Sequence, residues 1–174
     1  KMNNTAIALN RLFKNKIDVF WSDESFSAGG RTFTKGTIII PESENNTVAS
    51  TIESLANDLH LTFYGTDEKL EIRAQKVNPP RLGAFFGWAD NMADGWNRMV
   101  FLDHEFPFER ITNPDVLKGD LINRFDVICI PDMRARSIVE GVTSRRRGSD
   151  SEEEEEEPYP KEYMAFRICC SNRP

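Results

Sequence analysis

Apolar positions along this chain change period several times, and the changes define its elements. Residues 3–15 repeat apolar side chains at helical spacing (Ala6, Leu9, Leu12, Phe13), with Asn4 or Thr5 as the expected cap. Residues 17–21 then read as a strand. Gly29-Gly30 is a turn signal, and Arg31-Thr32-Phe33 before Gly36 predicts a hairpin. Residues 37–40 are β-branched and end at Pro41, so a strand is expected there. Val48, Ile52, Leu55 and Leu59 line one face of a helix over 47–59. Residues 61–64 read as a strand stopped by Gly65, and 66–78 as a polar connector.

Asn78-Pro79-Pro80 marks a boundary, because the residue before a proline is driven away from helix. Beyond it, 82–86 is a continuous apolar strand, 87–94 a loop, and 95–104 a helix with Trp96, Met99, Val100 and Phe101 near its apolar face. Pro107 ends that helix. A strand over 108–111, a short helical turn within 113–122 and an apolar strand over 125–130 follow. Strands made of unbroken apolar runs, alternating with helices, imply a parallel sheet covered on both faces. So few strands after residue 81 make the sheet look truncated.

The end of the chain is different in kind. Arg145-Arg146-Arg147 precedes Gly148-Ser149-Asp150-Ser151 and six consecutive glutamates, Glu152 to Glu157. Such sequence buries too little apolar surface to order itself, so a solvated acidic tail is expected over 142–174. The formal net charge is −6, and that run alone supplies it. The rest is near neutral, which gives no electrostatic reason to expect nucleic acid or an anionic membrane. No apolar run reaches the length of a membrane span. A chain of 174 residues starting at Lys1 suggests one domain with a flanking piece, and a part of a longer protein.

Candidate chemistry is sparse. His60 and His104 are the only histidines. His104-Glu105 begins a zincin-like pattern, but Phe108 stands where its second histidine belongs. Both histidines fall at predicted helix ends, where a solvated capping role is ordinary. Cys129 lies between Ile128 and Ile130 and reads as a buried, inert thiol; Cys169-Cys170 match no zinc or disulfide spacing. Gly83 and Gly87 do not make a phosphate loop. The best cluster is Trp88, Asp90, Asn91, Asp94 and Trp96, directly after an apolar strand, where open α/β sheets place their ligand crevices. It could bind a sugar or a peptide. The competing and favoured reading has both tryptophans packing the strand–helix junction while Asp94 caps the helix.

Pro80-Arg81-Leu82-Gly83-Ala84-Phe85-Phe86-Gly87-Trp88 and Asn91-Met92-Ala93-Asp94-Gly95-Trp96-Asn97-Arg98 form an ordered set with Phe106-Pro107-Phe108, Gly119-Asp120-Leu121, Arg124-Phe125-Asp126-Val127-Ile128 and Pro131-Asp132. This set resembles the region C-terminal to the catalytic domain in bacterial zinc carboxypeptidases of the carboxypeptidase A-like class. Upstream, Asn10-Arg11-Leu12, Phe26, Gly30-Arg31-Thr32-Phe33 and Gly36-Thr37 resemble the segment that joins the two. The likeness covers about residues 5–141. It implies a linking α+β segment over 1–78 after a peptidase domain that is not in this chain. Over 79–141 it implies part of a flavodoxin-like, class I glutamine amidotransferase-like α/β domain. The family's His-x-x-Glu pair and later histidine have no counterpart here, nor does the amidotransferase nucleophile. The resemblance therefore implies a non-catalytic accessory region, with zinc held by the parent's peptidase domain, no cofactor in this chain, and a secreted or periplasmic setting. The alternative expectation is a standalone ligand-binding or interaction module.

Overall fold

A computed structural model describes residues 2–42, 47–87, 92–133, 142–145 and 155–158. The chain divides into two compact units. One is Lys1–Pro79 with His104–Phe106; the other is Pro80–Asp103 with Pro107–Pro174. The fold is mixed α/β, with five helices and a parallel three-stranded sheet among the described residues.

The first unit opens with α1 (Met2–Lys14), whose buried stripe is Ala8 and Leu12. Its end is a Schellman motif. The Ile17 amide donates to the Leu12 carbonyl at 3.0 Å and the Lys16 amide to the Phe13 carbonyl at 2.9 Å. Lys16 takes the left-handed conformation (φ 57°) usually left to glycine, and Ile17 and Leu12 join the same core, which completes the motif. The expected cap at Asn4 is not one, because the helix starts earlier, at Met2. The Asn4 amide instead donates to the Leu59 carbonyl at 2.8 Å, satisfying a carbonyl at the far end of α2 (Thr47–Leu59).

The strands β1 (Val19–Ser22), β4 (Ile38–Ile39) and β5 (Ala74–Val77) form an antiparallel sheet with β1 in the centre. Between β1 and β4 in sequence, β2 (Phe26–Ala28) and β3 (Arg31–Phe33) make the expected hairpin. Gly29 and Gly30 both have positive φ (53° and 69°), as a two-residue primed turn demands. Ser22, 1% exposed, orders the approach to β4: its hydroxyl meets the Thr34 carbonyl at 3.3 Å and the Thr37 amide at 3.2 Å. The core joins Ala8, Leu12, Ile17, Val19, Val48, Leu55 and Leu59.

Two expectations fail here. Residues 61–64 are not a strand: Leu61 and Phe63 alternate because they pack on the core, yet the segment has no ladder. The polar connector contains β5, whose side chains are mostly exposed. Backbone pairing with β1 holds it in register (Val19↔Val77, Ser22↔Ala74), with Lys76–Asp18 at 2.7 Å and Gln75–Asp23 at 2.9 Å across the edge. An exposed edge strand carries little apolar signal.

The second unit starts with β6 (Leu82–Phe85), buried at all four residues. Two strands flank it, both parallel: β7 (Phe108–Ile111) and β8 (Val127–Cys129). The spatial order is β7-β6-β8. The connections are α3 (Met92–Asp103) and then α4 (Asn113–Lys118) with α5 (Leu121–Arg124). The single helical turn expected within 113–122 is thus two, broken where Gly119 and Asp120 take positive φ. Asp115 organises the start of α4; its carboxylate accepts from the Thr112 amide and hydroxyl, both at 2.9 Å. The core gathers Phe85, Ile111 and Phe125. Within the stretch expected to be a solvated tail, β9 (Val142–Arg145) and β10 (Glu155–Pro158) pair antiparallel, with Arg145 opposite Glu155.

Gly83 sets the sheet's closeness. A Cβ there would overlap Ile111 Cδ1 and come within 3.0 Å of Phe125 Cδ1, and both side chains are buried. Gly83→Ala is therefore expected to destabilise the protein by about 1–3 kcal/mol through overpacking. Leu12→Ala, at a site 1% exposed, is expected to lose about 2–5 kcal/mol. Urea denaturation of the two variants checks both; an unchanged midpoint for Gly83→Ala means that the core yields at that point.

Candidate functional site

The carboxyl ends of the parallel strands are where an open α/β sheet presents ligands. Here they are Phe86-Gly87 after β6, Thr112-Asn113 after β7, and Ile130 to Met133 after β8. Phe86 is 4% exposed and is pinned by its amide, which donates to the Ile111 carbonyl at 2.9 Å. Met133 reaches back to Gly87: a Cβ on that glycine would lie 3.2 Å from Met133 Cε. Asn113, 2% exposed, is buried at the same end of the sheet.

Of the five candidate ligand residues, Trp88, Asp90 and Asn91 lie outside the described residues. Asp94 and Trp96 are both on α3. Because α3 begins at Met92, Asp94 is an acidic residue of the first turn, suited to the helix dipole, and not the cap the sequence suggested. Trp96 is 58% exposed, so it does not pack the strand–helix junction either. Met99 and Val100 are also exposed, and α3 buries no residue completely. It meets the sheet through Phe101, whose ring lies 5.4 Å from that of Phe108. The apolar face was legible; how little of it is covered was not.

Phe86 is also the centre of a cationic arrangement that sequence reasoning missed. The Arg98 guanidinium of α3 lies 4.9 Å from its ring centroid, and that of Arg110 on β7 lies 5.1 Å from it. The Phe108 ring stacks against it at 6.5 Å. Residues 12 and 24 positions from a phenylalanine give no periodic signal.

At the opposite, amino-terminal end of the sheet, Arg81 and Asp126 form a clamp. Asp126 Oδ2 accepts from the Arg81 amide (2.8 Å) and Nε (3.1 Å), and Oδ1 from Nη2 (2.7 Å). The Asp126 amide returns a bond to the Arg81 carbonyl at 2.9 Å, and Arg81 Nη1 donates to the Asn123 carbonyl. The Arg81 side chain and then its amide, both bonding the ionised carboxylate, hold Asp126 down at about 2.

The first unit has an open concavity of about 600 Å³ lined by Arg11, Lys14, Ser50, Thr51, Ser54 and Glu105. Its arginine is already committed. Arg11 Nε faces both Glu105 oxygens at 3.1 Å, Nη2 reaches Oε1 at 2.7 Å, and Nη1 reaches Asp58 at 3.3 Å. Those bonds, the arginine's side-chain bond first, lower the Glu105 pKa. Glu105 sits in the left-handed region (φ 56°) to make them. This is a structural node.

His60 and His104 directly follow α2 and α3, as expected of helix-end histidines. His60 is exposed and left-handed (φ 52°), and the His104 carbonyl accepts from Asn10 at 2.8 Å. Cys129 is only half-buried, a correction to the buried reading, because β8 pairs with β6 alone among the described strands. Among the described residues, no three of His, Cys, Asp and Glu gather closely enough to hold a metal. No described helix is long and apolar enough to cross a membrane.

No family model, no curated protein and no solved structure matches the chain.

The Arg81–Asp126 clamp generates a pH prediction. Asp126 titrates near 2 when folded and near 3.8 otherwise. Its stabilisation is present above about pH 4 and disappears as pH falls from there through 2. Asp126→Asn is expected to lower the urea midpoint at pH 6 and to flatten its decline between pH 5 and 2. Parallel curves for variant and wild type would show that the clamp contributes nothing to acid sensitivity.

Proposed function

We propose that this chain is the non-catalytic accessory C-terminal region of a zinc carboxypeptidase-like protein. In this reading the second unit is the opening part of a flavodoxin-type, class I glutamine amidotransferase-like sheet. The observation that carries it is strand order. Taken by sequence, β6, β7 and β8 lie in the order second-first-third, all parallel. Flavodoxin-type sheets begin this way, whereas the other common doubly wound order places its first three strands third-second-first.

Two further observations support it. The residues that carry the family likeness occupy points on which this sheet depends: Gly83 beneath Ile111, and Arg81 clamped to Asp126. Structural roles for these three residues support an accessory reading. Exposed large apolar side chains also concentrate in the second unit, including Val127, Ile128 and Ile130 on and just after β8. In a flavodoxin-type order the next strand adds beside β8, and parallel strands are normally covered on both faces.

On this proposal, C-terminal peptide bonds are hydrolysed by a zinc-activated water in the parent's own peptidase domain, which is this region's partner. None of this chain's described residues supplies a zinc ligand set. The parent's setting is secreted or periplasmic. A second reading, a standalone ligand-binding module, draws on the exposure of Trp96 beside Asp94 on α3.

Zinc content and release of C-terminal amino acids, measured on this purified chain and on the longer natural protein, separate the readings. The expected result is stoichiometric zinc and turnover in the longer protein only. Stoichiometric zinc and turnover in this chain alone, or a natural protein without an upstream peptidase domain, would overturn the proposal.

A further inference from the structure

Arg98 and Arg110 are far apart in sequence yet converge on one ring. Phe108 and Arg110 share a face of β7, since alternate strand residues point the same way. On that face Phe101 of α3 tilts against Phe108, and Phe108 stacks on Phe86. Arg98 lies one helical turn before Phe101 and comes over the Phe86 ring as well. Three aromatic rings thus form a floor, with two guanidinium groups against its Phe86 end. Both Cζ atoms lie about 5 Å from one centroid, so they are at most about 10 Å apart.

No ion pair among the described residues involves either arginine. Two acids close to Arg110 in sequence are used elsewhere. Glu109 and Asp115 both pair with Arg124. Arg98 and Arg110 contrast with Arg11, Arg81 and Arg124, each of which is held by one or more carboxylates.

Attraction to a ring contributes only about 0.5–1 kcal/mol for an exposed cation. Its larger effect is on ligand binding. A guanidinium fixed against a ring has already lost much of its side-chain freedom, while its N–H edges stay available in the plane of the group. Such edges match phosphate and carboxylate oxygens in paired hydrogen bonds. The place is also right, because Phe86 directly follows β6, at the carboxyl edge of the parallel sheet.

We infer that Arg98 and Arg110, held on the Phe86 ring, form a binding site for the phosphate or carboxylate group of a small anionic molecule. This goes beyond the accessory-region reading and needs no peptidase parent.

The test is a titration of the whole chain with inorganic phosphate, and separately with acetate, against chloride at constant ionic strength. The readout is the side-chain Nε–H signals of the arginines in nuclear magnetic resonance. Arg31 provides an internal reference, because it lies 4.4 Å over the Tyr64 ring and, among the described residues, no second cation lies over that ring. Arg98 and Arg110 are expected to shift together and saturably while Arg31 drifts only weakly. The two titrations show which oxyanion is preferred. Arg98→Gln or Arg110→Gln is expected to weaken binding tenfold or more. Arg98→Lys and Arg110→Lys keep the charge but lose the fork, so they should also bind weakly, and they decide the matter if a glutamine variant fails to fold. Equal, unsaturated drift of all three arginines, or full affinity in the lysine variants, overturns the site.

Discussion

The second unit depends on how closely β7 and Phe125 approach β6. Side chains from a parallel neighbour and from the segment leading into β8 meet above one backbone position, Gly83, which has no Cβ to keep them apart. Ile111 fills that space and is completely buried, with Phe125 and Phe85 beside it. Everything at the carboxyl edge is positioned from there. The Phe86 amide bonds the carbonyl of the same Ile111, which places the Phe86 ring at the end of the strand and so sets where Arg98 and Arg110 converge.

The two ends of this sheet differ in chemistry. At the amino end, Arg81 and Asp126 satisfy each other through side chains and backbone, leaving a closed electrostatic arrangement suited to fixing strand position. At the carboxyl end, two arginines rest on a ring without a carboxylate among the described residues. An arginine bonded to a carboxylate spends its donors on fixing position, as Arg124 does even while it lies over the Phe125 ring. In the first unit Arg11 follows the closed pattern, spent on Glu105 and Asp58.

Partial cover of the sheet connects the fold to the proposed role. β6 is buried throughout, whereas β8 exposes Val127 and Ile128. A strand as apolar as 125–130 is what a parallel sheet uses in its interior, not at its border. Among the described strands β8 lies at the edge, and a short edge of this kind invites an additional strand or a covering element. Under the proposed accessory role, that border is where further strands would add.

Sequence alone determined the elements wherever apolar periodicity and burial coincide. Both long helices of the first unit, the Gly29-Gly30 hairpin and the parallel character of the second unit were legible, because one-sided burial forces a repeat of 3.6 or 2 and two-sided burial forces a continuous run. It also placed both histidines at helix ends. Where burial and hydrogen bonding part company, the reading failed. Leu61 and Phe63 alternate without a ladder, and β5 has a ladder without an apolar pattern. Lys16 ends α1 in a conformation that only a Gly would have announced, and Asn4, read as a cap for its own helix, serves α2 instead. The pairings of Arg81 with Asp126, and of Arg98 and Arg110 with Phe86, were decided only by tertiary structure. Contacts across tens of residues arise from strand order, and no local pattern records which strands become neighbours.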